Sequence, residues 1–143
     1  MSLLRSHYSV DVSEEQFGSS ITVAGWIEDI RNLGSIAFII LRDRKGTLQV
    51  TGLKKEHPDL FEKLVNLPRE SVVSVKGLCQ KSGKARNGYE ILPEEVSVLS
   101  TSDSPLPLGV VDKVDADLDT RLDNRFLDLR KPEVQAVFQI RSA

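Results

Sequence analysis

An all-β fold, a five-stranded Greek-key barrel with one helix between its third and fourth strands, is predicted by three observations. Three apolar runs lie between Val23 and Val50, parted by the turns Asn32-Leu33-Gly34-Ser35 and Arg42-Asp43-Arg44-Lys45-Gly46. Two long strand-like stretches each hold an internal glycine, Gly25 and Gly77. One stretch of helical periodicity, Leu60, Phe61, Leu64 and Val65, stands among stretches that alternate. Compact turns make the first three runs antiparallel neighbours, and mid-strand glycines supply the bends that let a strand take part in two sheets.

Ahead of the first strand, Ser13-Glu14-Glu15-Gln16 fits a capping box, with Gly18 placed to stop a one-turn helix. The first long strand, Ile21 to Arg31, puts Ile21, Val23 and Ile27 on one side. Strict alternation would also turn Asp29 and Arg31 toward the core, so a bulge near Glu28, or an end to pairing, is expected to swing Arg31 outward. In the second strand Ala37, Ile39 and Leu41 fill a core while Ile36, Phe38 and Ile40 point away. The third sends Leu48 and Val50 inward and Thr47, Gln49 and Thr51 outward. Alternation alone leaves Phe38 two places: a base-stacking ring beside Gln49 on the outer face, or a residue of the core.

Pro58 suits the first position of the helix that follows, and Pro68 bounds it. Ser71 to Lys81 is predicted as the fourth strand, with Val73, Val75 and Cys79 inward. Tyr89 to Ser100 is predicted as the fifth, interrupted by Pro93, and alternation groups Glu90 with Leu92 on the core side unless Pro93 breaks the phase. This order of elements is that of the OB-fold, a partly open barrel that binds oligonucleotides or oligosaccharides on strands two and three. The loops joining strands one and two, and strands four and five, rim that face.

Composition is that of an ordinary soluble globular chain: 143 residues, 40% apolar, 28% charged, formal net charge −2. Global charge does not point to nucleic acid, so placement matters more. Arg42, Arg44 and Lys45 punctuate one turn, Lys54 and Lys55 follow the third strand, and Lys81, Lys84 and Arg86 crowd the loop Lys81 to Gly88. Together they form a candidate phosphate-tracking surface, although each alone reads equally as a solvated turn. Single Cys79 offers neither a disulfide nor metal-ligand spacing and reads as a small buried hydrophobe in a reducing compartment. Met1 to Val10 lacks a signal-peptide core, and no apolar run is long enough to span a bilayer. A cytoplasmic, membrane-free protein is expected.

Residues 1–100 are therefore expected to form the barrel domain, and residues 101–131 a linker and hinge that opens with the Pro-, Gly- and Ser-containing run Ser102 to Val114. In the charged part of the hinge Leu118, Leu122, Phe126 and Leu129 are the candidate anchors. Residues 132–143 open a further helix at Pro132 with no stop signal before Ala143, so the natural protein is expected to continue.

The runs GWIEDIRNLGSIAFIILRDRKGTLQV, GYEILPEEV and LDTRLDNRFLDLRKPEV resemble the N-terminal region of aspartyl-tRNA synthetases of the archaeal and eukaryotic-cytosolic type. The resemblance covers nearly the whole chain and implies an OB-fold anticodon-binding domain, a hinge and the start of a class II catalytic domain. By that resemblance Phe38 matches the aromatic that stacks on the middle anticodon base and Gln49 the amide that pairs with the middle uracil. Arg31 matches the arginine at the third base, where guanidinium donors suit the O2 and N3 acceptors of cytosine. Glu90 matches a carboxylate near the first base, guanine. The implied partner is the anticodon loop of tRNA(Asp). The implied full-length enzyme is a homodimer that activates aspartate with ATP and Mg2+ and transfers it to the terminal adenosine, with no catalytic residue in this stretch. Whether tRNA(Asn) is charged as well is not fixed by the motifs. Asparaginyl-tRNA synthetase, a general single-strand-binding OB module and a protein-interaction barrel are the alternative expectations.

Overall fold

In a computed structural model, which describes residues 5–111 and 115–143, five strands close a barrel in the order β1-β2-β3-β5-β4. The strands are β1 (Ser20–Asn32), β2 (Ile36–Arg42), β3 (Thr47–Leu53), β4 (Val72–Lys81) and β5 (Tyr89–Ser100), with helix α1 (Pro58–Val65) between β3 and β4. All neighbours are antiparallel except β3 and β5, which run parallel and pair only at Gln49 with Glu90 and Val50 with Ile91. Residues 1–4 of the expected N-terminal lead and 112–114 of the expected linker lie outside the described residues. No helix among the described residues is long and apolar enough to cross a membrane.

Alternation builds the interior. Ile21, Val23 and Ile27 from β1, Ala37, Ile39 and Leu41 from β2, Leu48 and Val50 from β3, and Val73, Val75 and Cys79 from β4 are all buried. Phe61 and Leu64 of α1 pack against this core, and Pro58 occupies the first turn of that helix. Burial pushes the Cys79 thiol above its ordinary pKa, as expected of a cysteine used for packing.

Two strand details set the outer face. The pairing of β1 with β2 shifts between Ile27 and Asp29, so Glu28 is the extra residue of a bulge, as the clash of alternation with Asp29 and Arg31 predicts. Past it Arg31 is exposed and lies opposite Phe38. The fifth strand departs from expectation, since it runs unbroken through Pro93 with Tyr89 and Ile91 buried, while Glu90 and Leu92 stand half-buried on the outer side. Tyr89 tolerates burial because its hydroxyl donates to Ser9 O at 2.6 Å. Its pKa is pushed up to about 12, mainly by burial, which keeps the hydroxyl a donor. The phase changes later, at a register shift opposite Lys76 and Gly77 that returns Val96 to the core.

The segment before β1 is tied down by polar contacts. Asp43, buried in the β2–β3 turn, accepts from Ser9 N at 2.6 Å and Ser9 Oγ at 3.0 Å, and from the backbone N–H groups of Lys45 and Gly46 at 2.7 and 2.9 Å. The expected capping residues carry a short 3-10 helix, Glu14–Gln16, in which Ser13 N donates to Gln16 Oε1 at 2.8 Å. Gly18 follows with φ +84°, a conformation that suits glycine.

The chain divides between Ser102 and Asp103 into two compact units. The second, expected to be linker and solvated hinge, also carries two short helices, α2 (Leu118–Asp123) and α3 (Arg125–Asp128), before α4 (Pro132–Ser142). Asp117 caps α2 by accepting from Thr120 N at 2.9 Å. Of the expected anchors, Leu118, Leu122 and Phe126 are exposed and Leu129 is half-buried, while Leu127 packs with Leu108 and Val110. The apolar pair preceding the helices, not visible as a periodic pattern, selects the buried residue.

Asp128 accepts from Arg121 Nε at 3.0 Å and Nη2 at 3.2 Å. Arg121, with help from Lys131, holds its carboxyl below the usual carboxylate range. A depressed folded pKa contributes stability that is present above the ordinary value of about 3.9 and is lost as pH falls through the lower folded value. Carbon-detected NMR titration should therefore place the Asp128 midpoint below that of free aspartate, and Arg121→Gln should move it back up.

Candidate nucleic-acid interface

Cross-strand pairing assembles the candidate residues into two rows on the outer face of the barrel. Register puts Arg31 opposite Phe38 and Phe38 opposite Thr51. One step along the strands, Asp29 lies opposite Ile40, Ile40 opposite Gln49, Gln49 beside Glu90 and Glu90 opposite Gln80. Partners in a register share a face, so Arg31, Phe38, Gln49 and Glu90 all belong to the same side of one curved sheet. Phe38 is half-buried on the outer face and not part of the core, which excludes one of the two places that alternation allowed it.

Within this face the polar groups are tightly connected. Glu90 Oε2 accepts from Thr51 Oγ1 at 2.5 Å and from Gln49 Nε2 at 3.2 Å, and Glu90 Oε1 accepts from Gln80 Nε2 at 2.9 Å. Gln49 Nε2 also donates to Thr51 Oγ1 at 3.1 Å. An open groove of about 380 Å3 lies here, lined by Phe38, Thr51, Gln80, Lys81, Lys84 and Glu90 among others. An aromatic wall, a fixed amide and carboxylate, and two lysines at the rim suit a flat polar heterocycle that carries a phosphate.

The cations expected to track phosphate differ in their surroundings. Lys81 and Lys84 are exposed and line the groove. Arg44 and Arg86 are exposed at the barrel end that joins the β2–β3 turn to the β4–β5 loop, where Asn87 Nδ2 donates to Thr47 O. None of these four has an ion pair among the described residues. Lys45 pairs with Asp11 at 3.1 Å and Lys54 with Glu62 at 2.9 Å, so both are partly neutralised at the surface. Arg42 corrects the expectation. It is 7% exposed, with Nη2 at 2.6 Å from Glu70 Oε2 and the guanidinium 5.7 Å from the Trp26 ring. Nη1 lies 3.5 Å from Glu28 Oε1 without an aligned hydrogen bond. Trp26 and Glu70 cover the outer side of β2 at that end, and Arg42 is a buried tie where a phosphate contact was expected.

Thr51 and Gln80 are the members of the site that motif reasoning passed over. Thr51 was placed outward by alternation, but the contact of both with Glu90 depends on the register of β5. Arg69, whose Nη2 lies 2.6 Å from Asp29 Oδ1, forms a further ion pair at the β1 edge of the same face.

With this geometry in place, the chain can be compared with known proteins. Residues 21–99 match the family model of the tRNA anticodon type, described as an OB-fold nucleic acid binding domain. An aspartate–tRNA(Asp/Asn) ligase of Methanosarcina barkeri is 52% identical over 141 residues, covering 96% of this chain and 32% of its own length. An aspartate–tRNA(Asp) ligase of Thermococcus kodakarensis is 49% identical over 142 residues, covering 99% of this chain and 32% of its own. The crystal structure of asparaginyl-tRNA synthetase from Pyrococcus horikoshii superposes with a TM-score of 0.85 at 28% identity, covering 99% of this chain and 33% of that one. The chain thus spans about a third of the length of the curated relatives it matches.

Proposed function

The chain belongs to the family of tRNA anticodon-type OB-fold nucleic acid binding domains, and from that premise we propose that its outer sheet face reads the anticodon loop of tRNA(Asp). The observation that carries this reading is the shared face of Arg31, Phe38 and Gln49, assembled from three strands and open to solvent on the Phe38 side. Phe38 stacks on the middle base and Gln49 meets its polar edge. Arg31, next to Phe38 in the register, offers donors to the base on the β1 side. Lys81 and Lys84 meet the backbone phosphates at the groove rim, with Arg44 and Arg86 extending the positive surface at one end of the barrel. Arg42 has no part in this.

The relatives named as aspartate–tRNA ligases support a wider proposal, that the whole protein attaches aspartate to tRNA(Asp); the cytoplasmic homodimer using ATP and Mg2+ is proposed from the resemblance of the sequence runs alone. Among the described residues no three His, Cys, Asp or Glu side chains converge as a metal site requires. The residues of the outer face are assigned binding. The names of the relatives divide between tRNA(Asp) and tRNA(Asp/Asn), so the stem-loop of tRNA(Asn) belongs in the same assay.

Fluorescence titration of an aspartate anticodon stem-loop tests the reading. Phe38→Ala should weaken binding about 10- to 100-fold, the scale of one lost base stack, with the unfolding midpoint little changed because the ring is outside the core. Gln49→Ala should cost less affinity and should lower the preference for uracil at the middle position. Equal binding of a scrambled loop by the unaltered chain would make the face a general single-strand platform, and unchanged binding by Phe38→Ala would remove the proposal.

A further inference from the structure

The carboxamide of Gln49 has two ends of opposite sense, an acceptor oxygen and an NH2 donor. What it reads depends on which end meets the ligand. Its orientation is settled by its neighbours. The Thr51 hydroxyl has one proton and gives it to Glu90 Oε2 at 2.5 Å, so toward Gln49 it can only accept. An ionised Glu90 likewise only accepts. Gln49 Nε2 faces both, at 3.1 and 3.2 Å, so the NH2 end of the amide is turned to the Thr51–Glu90 pair. Turning the amide over would set its oxygen against two acceptors. Gln80 Nε2 occupies the other carboxylate oxygen at 2.9 Å and holds Glu90 in place from the opposite strand. Gln49 Oε1 is left without a partner among the described residues.

We propose that Glu90, held by Thr51 and Gln80, is a positioning residue that locks Gln49 as a hydrogen-bond acceptor, so that the site selects a pyrimidine carrying an N3–H donor. The proposal rests on the reading that this face holds the anticodon. Uracil presents N3–H where cytosine presents an N3 lone pair, and the two rings stack almost alike. Stacking on Phe38 therefore tolerates both, and discrimination falls to the amide. With its NH2 end turned to Thr51 and Glu90, the amide opposes cytosine N3 with an oxygen. The same commitments give the Glu90 carboxylate three donors from the protein itself, which makes it a support for the reader more than a reader of the first base.

Glu90→Gln tests this at nearly constant volume. A carboxamide at position 90 both donates and accepts, so the Gln49 amide is free to turn over. In titrations with stem-loops differing only at the middle base, the unaltered chain should prefer uracil over cytosine and should reject 3-methyluridine, which keeps both carbonyls and lacks the N3–H. In Glu90→Gln the ratio of uracil to cytosine affinity should fall about tenfold, the scale of one mismatched position, while discrimination at the first base is unchanged. Thr51→Val, which removes the hydroxyl that holds the same amide proton, should move the ratio the same way, and Thr51→Ser should restore it. A chain that discriminates normally and keeps its ratio in both Glu90→Gln and Thr51→Val overturns the positioning role and leaves the anticodon reading intact. So does a loss confined to the first base, which would assign Glu90 a direct contact. No middle-base preference in the unaltered chain would overturn both.

Discussion

Gly77→Ala is expected to lower the stability of the barrel by about 3 kcal/mol or more, at or beyond the upper end of ordinary overpacking. A Cβ at this position would lie inside the Leu92 carbonyl oxygen and carbon, closer than real Cβ atoms approach other atoms, with Ile91 Cγ2 at 3.0 Å behind them. The obstructing atoms are backbone of the paired strand, so no rotamer change relieves the clash. The strands must part where β4 crosses from one side of the barrel to the other, next to the register shift at Lys76 and Gly77. Urea denaturation followed by far-ultraviolet circular dichroism measures the effect. A midpoint within experimental error of the unaltered chain would show that the close approach is not required. Gly83 provides the control, since nothing lies within 4 Å of a Cβ built there; Gly83→Ala should be nearly neutral.

Glu70→Ala is expected to cost about 3 to 5 kcal/mol, the range found when one partner of a buried ion pair is removed. Glu70 is 6% exposed and Arg42 is 7% exposed, so truncation leaves a guanidinium largely out of water, with Glu28 at 3.5 Å the carboxylate that remains beside it among the described residues. Glu70 also has φ +67°, which is unusual for a residue with a side chain, and its N–H donates to Ile27 O at 2.7 Å. The strained conformation is maintained by contacts on both sides of it. Replacing the pair together, as Arg42→Met with Glu70→Gln, should recover much of the loss, because no buried charge is then left unpaired. A double variant no more stable than Glu70→Ala would show that the loss came from backbone conformation and not from charge.

How much of this was legible in the chain depended on whether a residue's place follows from its own strand or from a neighbour's. Arg31 was readable because alternation alone would have sunk two charges, Asp29 and Arg31, into an apolar interior, and only a bulge resolves that conflict. The observed extra residue is Glu28. The core of β2 and β3 followed from period-two patterning for the same local reason. Glu90 was not readable in this way. Its strand begins with Tyr89, whose burial requires Ser9, a residue 80 positions away, and no periodicity within β5 contains that information. Arg42 failed similarly: a turn rich in charge looks solvated until Trp26 and Glu70 are brought over it. The network of Thr51, Gln49, Glu90 and Gln80 joins three strands and exists only once β3 and β5 are set side by side.

The short parallel contact between β3 and β5 has one more implication. Elsewhere the wall of the cylinder is laced by long antiparallel ladders, but this seam has two residue pairs, Gln49 with Glu90 and Val50 with Ile91. Side chains add to this short main-chain seam, and two of them, Thr51 and Glu90, also line the groove. Whatever occupies the groove thus borders the least stitched joint of the cylinder, and a guest that grips both edges would act as a rivet, raising the cost of opening by its own binding free energy.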